Sequence, residues 1–138
     1  NLGDGAFHYC YGFDGFLEIS EGITYINSNT FSECTGFSGT LKIPESVTGI
    51  GDSAFYICTG FSGSLNIPNS VTSIEGGSFA FCVGLSEVRI PESVTSIGEG
   101  AFDNCKGMCC DLSISNSIVS IESFAFANCG FKGSLVIP

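Results

Sequence analysis

Cys10, Cys34, Cys58, Cys82, Cys105 and Cys129 are separated by 24, 24, 24, 23 and 24 residues. A beat this regular over most of a 138-residue chain constrains the fold more than any local propensity does. Aligned on these cysteines, the segments share one template. An apolar-x-apolar triplet opens it (Leu17-Glu18-Ile19, Leu41-Lys42-Ile43, Leu65-Asn66-Ile67, Val88-Arg89-Ile90, Leu112-Ser113-Ile114), and proline usually follows. Then come Ile23, Val47, Val71, Val94 or Ile118, and three residues later Ile26, Ile50, Ile74, Ile97 or Ile121. Five residues on stands Phe31, Phe55, Phe79, Phe102 or Phe126, and the cysteine follows three after that.

A unit of this length cannot bury an apolar edge alone, so copies stack and share one continuous core. The period lies in the range of leucine-rich repeats. Alternation in Leu65-Asn66-Ile67 predicts a strand with two side chains inward and one outward. Pro44, Pro68 and Pro91 lack an amide donor and end that strand, and Glu45-Ser46 and Asn69-Ser70 form the turn. Val71-Thr72-Ser73-Ile74 predicts a second short strand or bent return. Ser78-Phe79-Ala80-Phe81 and Ala101-Phe102-Asp103-Asn104 predict a single helical turn. The fold expected is a β-rich α/β repeat solenoid: about six coils of ~24 residues in a right-handed superhelix. A parallel sheet lines its concave face, with short strands or helical turns on the return side. Stacked equivalents explain thirteen phenylalanines and no tryptophan without a ligand. Residues 1–138 form one domain, and the pattern begins and ends in mid-repeat, as expected of a piece of a longer array.

The template resembles the BspA-like, or Treponema pallidum type, leucine-rich repeat, whose unit reads roughly IPxSVTxIGxxAFxxC. The matching residues are Ile43-Pro44-Glu45-Ser46-Val47-Thr48, Ile67-Pro68-Asn69-Ser70-Val71-Thr72 and Ile90-Pro91-Glu92-Ser93-Val94-Thr95-Ser96-Ile97-Gly98, with Ala54-Phe55 and Ala101-Phe102 closing the unit. Ser20 and Ser115 stand where proline is usual, and Cys109-Cys110 intrudes in the fifth segment. The resemblance implies cell-surface or secreted proteins of bacteria and some parasitic protists that bind proteins and adhere. It brings no catalytic residues and no cofactor. The extracellular location is implied by the resemblance alone, because packing cysteines tolerate oxidising or reducing surroundings and leave the cytoplasm open.

Each regularly spaced cysteine precedes a bend at Gly36, Gly60, Gly84 or Gly107 and is expected to point inward as a small hydrophobe. Coils stack about 4.7–4.9 Å apart, whereas a disulfide needs Cβ atoms at about 3.5–4.5 Å, so the row is expected to stay unbridged. A linear row also lacks the convergent tetrahedral geometry of zinc. Cys109 and Cys110 lie outside the ladder, at the loop positions of Ser38-Gly39 and Ser62-Gly63. They are expected to be partly exposed, as free thiols, a local disulfide or, less simply, metal ligands. Lys106 beside them is expected to lower a nearby thiol pKa.

Other chemistry is thinly supported. His8 is the only histidine, and it occupies a variable position expected at the surface. Ser46, Ser70, Ser93 and Ser117 are template equivalents, not nucleophiles. Gly98-Glu99-Gly100 lacks the lysine of a phosphate loop. The acidic residues recur singly in turns, with no Asp-x-Asp-x-Asp run for calcium. No catalytic residue, metal site or cofactor is assigned.

Fourteen acidic residues against four basic ones give a formal charge of −10, a poor match for a phosphate backbone. Nucleic acid is therefore not an expected partner. No apolar run approaches the ~20 residues that span a bilayer, and no signal peptide is visible at Asn1. What remains for function is the outward side of the first strand. One row reads Glu18, Lys42, Asn66, Arg89, Ser113 and Val136; its neighbour reads Phe16, Thr40, Ser64, Glu87, Asp111 and Ser134. These positions vary while core positions repeat, as on the extended binding surfaces of repeat proteins. Glu18, Lys42, Asn66, Arg89, Ser113 and Glu87 are the candidate ligand-binding residues, for a protein ligand or host surface protein. The alternative is a structural scaffold or filament built by end-to-end stacking of coils, since exposed terminal strands invite pairing.

Overall fold

Leu65-Asn66-Ile67 lies in and just beyond the strand its alternation predicts: β1, Gly63–Asn66, buries Leu65 and exposes Asn66. The computed structural model describes residues 2–138. The strands that follow are β2 (Ser73–Ile74), β3 (Leu85–Arg89), β4 (Ser96–Ile97), β5 (Leu112–Ser113), β6 (Ser120–Ile121) and β7 (Leu135–Val136). Every pairing is parallel and joins a coil to the next: β1 with β3, β2 with β4, β4 with β6, β5 with β7.

The two strand faces of the solenoid differ in continuity. On the Ser-Ile side, bridges Ile26↔Ile50 and Ile50↔Ile74 extend the β2–β4–β6 sheet, so one ladder crosses five coils. On the first-strand side, where the main sheet was expected, pairing is less continuous: Glu18↔Lys42, a single bridge Gly39↔Phe61, then β1–β3 and β5–β7. No bridge joins Lys42 to Asn66 or Arg89 to Ser113 among the described residues. The turn after each first strand is uniform. The carbonyls of Pro44, Pro68 and Pro91 accept the N–H of Val47, Val71 and Val94 at 3.0, 3.1 and 3.2 Å. Ser20 and Ser115 make the same bond to Ile23 and Ile118, at 3.0 and 3.2 Å, so losing proline does not change the turn.

The expected helical turns are replaced by something else, and no helix occurs among the described residues. Around each core phenylalanine, residues two before and two after it adopt left-handed φ, as at Ser53 (53°) and Ile57 (56°). Amides then alternate in direction. Ser53, Phe55 and Ile57 donate to Gly76, Ser78 and Ala80 of the next coil, at 2.8–2.9 Å. Ala54, Tyr56 and Cys58 donate back to Gly51, Ser53 and Phe55 of their own coil, at 3.1–3.2 Å. A helix would spend all six amides inside one coil; this turn spends half on stacking. The arrangement places β-branched Ile57 in a conformation costing about 1–2 kcal/mol for most residues, whereas Asn104 and Asn128 occupy equivalent positions at 58° and 54°. Ile57→Asn is therefore expected to raise stability by about 1 kcal/mol, read as a higher urea midpoint at unchanged slope.

The core is a set of columns. Phe7, Phe31, Phe55, Phe79, Phe102 and Phe126 stack with ring centroids 5.3–5.5 Å apart and near-parallel planes. A second column, Phe13–Phe37–Phe61, runs beside it at 4.9 and 6.1 Å and continues through Leu85 and Met108. The two columns meet edge to face, as between Phe55 and Phe61 at 6.2 Å, a favoured aromatic geometry. Leu65, Val71, Ile74 and their equivalents fill the remainder.

Candidate functional site

The regular cysteines are structural. Cys34, Cys58, Cys82 and Cys105 are fully buried, and Cys10 and Cys129 are half-buried. Each thiol from Cys34 onward donates to the carbonyl of a phenylalanine in the preceding coil. Cys34 reaches Phe7 O at 2.9 Å, Cys58 reaches Phe31 O at 3.0 Å, and Cys82, Cys105 and Cys129 reach Phe55, Phe79 and Phe102 O at 3.1 Å. That carbonyl already accepts the amide of its own coil's cysteine, for example Cys58 N–H to Phe55 O at 3.2 Å. Both lone pairs are thus used, and a small side chain with one weak donor suits the position. Burial pushes the Cys58 and Cys105 thiols up to about 12 and Cys129 up to about 11, with Cys82 well above and Cys34 above the ordinary thiol value. Such thiols are not nucleophiles near neutrality.

Cys109 and Cys110 are exposed, as expected, and no disulfide is formed by any of the eight cysteines. The expected influence of Lys106 is not found. Cys110 is raised, not lowered, by a hydrogen bond with Cys109, then by the charges of Cys109, Glu87 and Asp111. No group of three or more His, Cys, Asp or Glu side chains among the described residues is placed to hold a metal ion. His8 is half-buried and stacked on Tyr9 at 3.9 Å.

The outward row is exposed in every coil: Glu18, Lys42, Asn66, Arg89, Ser113 and Val136. Parallel register sets Glu18 beside Lys42, Asn66 beside Arg89, and Ser113 beside Val136. Glu18, Lys42 and Asn66 also line one groove of about 940 Å³ with Phe16, Thr40 and the turn residues Glu21, Pro44 and Glu45. The groove crosses from the second coil to the third, which are bridged at Gly39↔Phe61 but not at Lys42 and Asn66. Farther along, Glu87 accepts from Arg89 Nε at 3.0 Å through one oxygen and from Ser64 Oγ at 3.0 Å through the other. Hydrogen bonding to Arg89 and then Ser64 holds the Glu87 carboxyl below the usual carboxylate range. Glu87–Arg89 is the one ion pair among the described residues, which leaves Lys42 as the unpaired cation of this face. The six candidates therefore divide into two clusters, with Ser113 beyond both. Sequence reasoning placed Glu45 on a solvated turn and did not single out Glu21, and both line the groove. Their 24-residue spacing, one coil apart on the same edge, was the available signal.

Parallel strands one coil apart, columns of stacked equivalents and an exposed variable row define a leucine-rich-repeat solenoid. A family model of the BspA type leucine rich repeat region matches residues 1–132 in six copies, and the chain belongs to that family. Its structure is similar to that of a leucine-rich repeat protein from Bacteroides ovatus, with TM-score 0.85 and 26% identity over 99% of this chain. It also resembles the T. pallidum leucine rich repeat protein, with TM-score 0.66 and 24% identity over 77% of this chain. The aligned regions span 34% and 59% of those two proteins. No curated protein matches the chain significantly.

Proposed function

We propose that the chain is a non-catalytic protein-binding module of a surface or secreted protein, and that its first-strand face meets the partner. The observation that carries this reading is the contrast within one template. Inward positions repeat as Leu, Ile, Val and Phe, while the exposed row changes chemically at every coil. A face of this kind offers many shallow, individually tuned contacts, as repeat proteins use for other proteins. Lys42, flanked by Glu18 and Glu45 over an apolar floor, supplies the free cation, and Arg89 supplies a second through a pair that solvent screens. The test is surface plasmon resonance against immobilised host surface proteins. Saturable binding is expected, weakened at least about tenfold by Lys42→Glu with Arg89→Glu, or roughly 1.4 kcal/mol. Unchanged affinity in that variant contradicts the assignment of the face.

A scaffold that grows by end-to-end stacking is the second reading. Sedimentation that stays monomeric at high concentration would remove it.

A further inference from the structure

The Arg89–Glu87 ion pair is lopsided: the arginine side chain is 69% exposed and the glutamate 29%. Glu87 is tucked in, with one carboxylate oxygen accepting from Arg89 Nε and the other from Ser64 Oγ of the coil before, each at 3.0 Å. The guanidinium stands outside it. Its two terminal amino groups make no hydrogen bond to another described residue. They present a planar fork of donors, a shape that carboxylates match. Lys42 is exposed on the same row and has no ion-pair partner among the described residues. Asn66 sits between the two cations, in register with Arg89 and exposed, with its side-chain amide unbonded among the described residues.

Spacing narrows what such a row can hold. Lys42 and Arg89 are two coils apart. One coil step is about 4.7–4.9 Å at a parallel ladder, and 5.3–5.4 Å at the phenylalanine column. Two steps therefore come to about 10 Å. A β-strand sets side chains of one face about 6.6 or 13 Å apart, and neither matches. In a polyproline II segment every third side chain faces the same way, about 9 Å from the last. A helix offers about 10.5 Å between residues seven apart, but its backbone groups are spent inside it. Those of polyproline II are free, and the Asn66 amide carries both a donor and an acceptor for them.

We infer that Lys42, Asn66 and Arg89 form a subsite for an acidic polyproline II segment of the partner. Its carboxylates stand three residues apart, one on the Arg89 fork and one on Lys42, while its backbone meets Asn66. The inference rests on the protein-binding reading of this face and names the partner's chemistry. Glu87 is a positioning residue: it holds the guanidinium in place and is itself held by Ser64. The formal charge of −10 opposes an acidic segment only at range. At physiological salt, exposed charges more than about 8 Å away are largely screened, and the two cations in contact decide.

The test is a nuclear magnetic resonance titration of the whole isotope-labelled chain, at about 0.15 M salt, with a capped proline-rich peptide carrying Glu-Pro-Pro-Glu. Saturable shifts of the Asn66 side-chain amide and the Arg89 Nε–H are expected. Affinity should be at least about threefold above that of a Glu-Pro-Glu peptide, which reaches one cation only. Lys42→Gln, Arg89→Gln and Glu87→Ala should each weaken binding by a similar factor while circular dichroism stays native. Glu87→Ala discriminates most sharply, because it removes negative charge and would strengthen binding if charge alone mattered. The subsite is overturned by an absence of saturable shifts, by equal affinity for the two spacings, or by tighter binding to Glu87→Ala. Host proteins that bind through Lys42 and Arg89, beside peptides that do not bind, would overturn this inference and leave the assignment of the face standing.

Discussion

Raising the pH from 9 to 10 is expected to lower the unfolding free energy of this protein by about 4 kcal/mol. The cause is the row of enclosed thiols. Cys58 and Cys105 are held near 12 and Cys82 well above its ordinary value, chiefly by burial. Once the chain unfolds, those thiols ionise near their ordinary value of about 8.5. Between roughly pH 9 and 11 the unfolded state therefore binds fewer protons than the folded one. Stability is complete below the unfolded pKa and is lost as pH rises toward the folded one. Each thiol removes about 1.4 kcal/mol per pH unit across that window, so three remove about 4. Small domains have about 5–15 kcal/mol in total, so the loss should be decisive by pH 10–11. Urea midpoints at pH 8, 9 and 10 measure it. Cys58→Ala with Cys105→Ala should flatten the fall by two protons, and a wild-type midpoint constant to pH 10 would contradict sealed thiols.

Gly60→Ala is expected to destabilise by about 3 kcal/mol or more, and to lower the thermal midpoint by roughly 10 °C. A Cβ at Gly60 would overlap the carbonyl oxygen of Phe37 in the preceding coil. That oxygen is main chain, so it can yield only by separating the coils. Gly36, Gly84, Gly107 and Gly130 face the same obstacle from Phe13, Phe61, Val83 and Lys106 carbonyls. Gly12→Ala is the control, because nothing lies within 4 Å of its Cβ position, and it should be nearly neutral. Equal effects of the two substitutions would mean that the coils do not approach as closely as described.

The columns were legible because burial acts on side-chain type, and type recurs with the period. Phe55, Cys58, Leu65 and Ile74 could be placed inward from spacing alone, and all are buried. The turn around Phe79 was not legible as what it is. Small and aromatic residues three and four apart mimic one helical turn, while the left-handed φ at Gly77 and Phe81 answers a demand of the neighbouring coil. Phe81 itself has no local preference for that conformation. Breaks in the first-strand sheet were hidden for the same reason. They depend on how coils seat, including the register shift between Gly63 and Ser64, and not on the residues of any one strand. On the candidate face, alternation identified the exposed row. The division into a Lys42 groove and a Ser64–Glu87–Arg89 cluster arises from side-chain geometry, with Arg89 reaching back two residues along its own strand.

Brief alkylation of the native chain with iodoacetamide, followed by peptide mapping, tests most directly the claim that the cysteine beat is architecture. Cys109 and Cys110 should be labelled at once, and Cys34, Cys58, Cys82 and Cys105 only when the chain is unfolded in urea. Labelling of Cys58 or Cys82 in the native protein at the rate of Cys109 would contradict it.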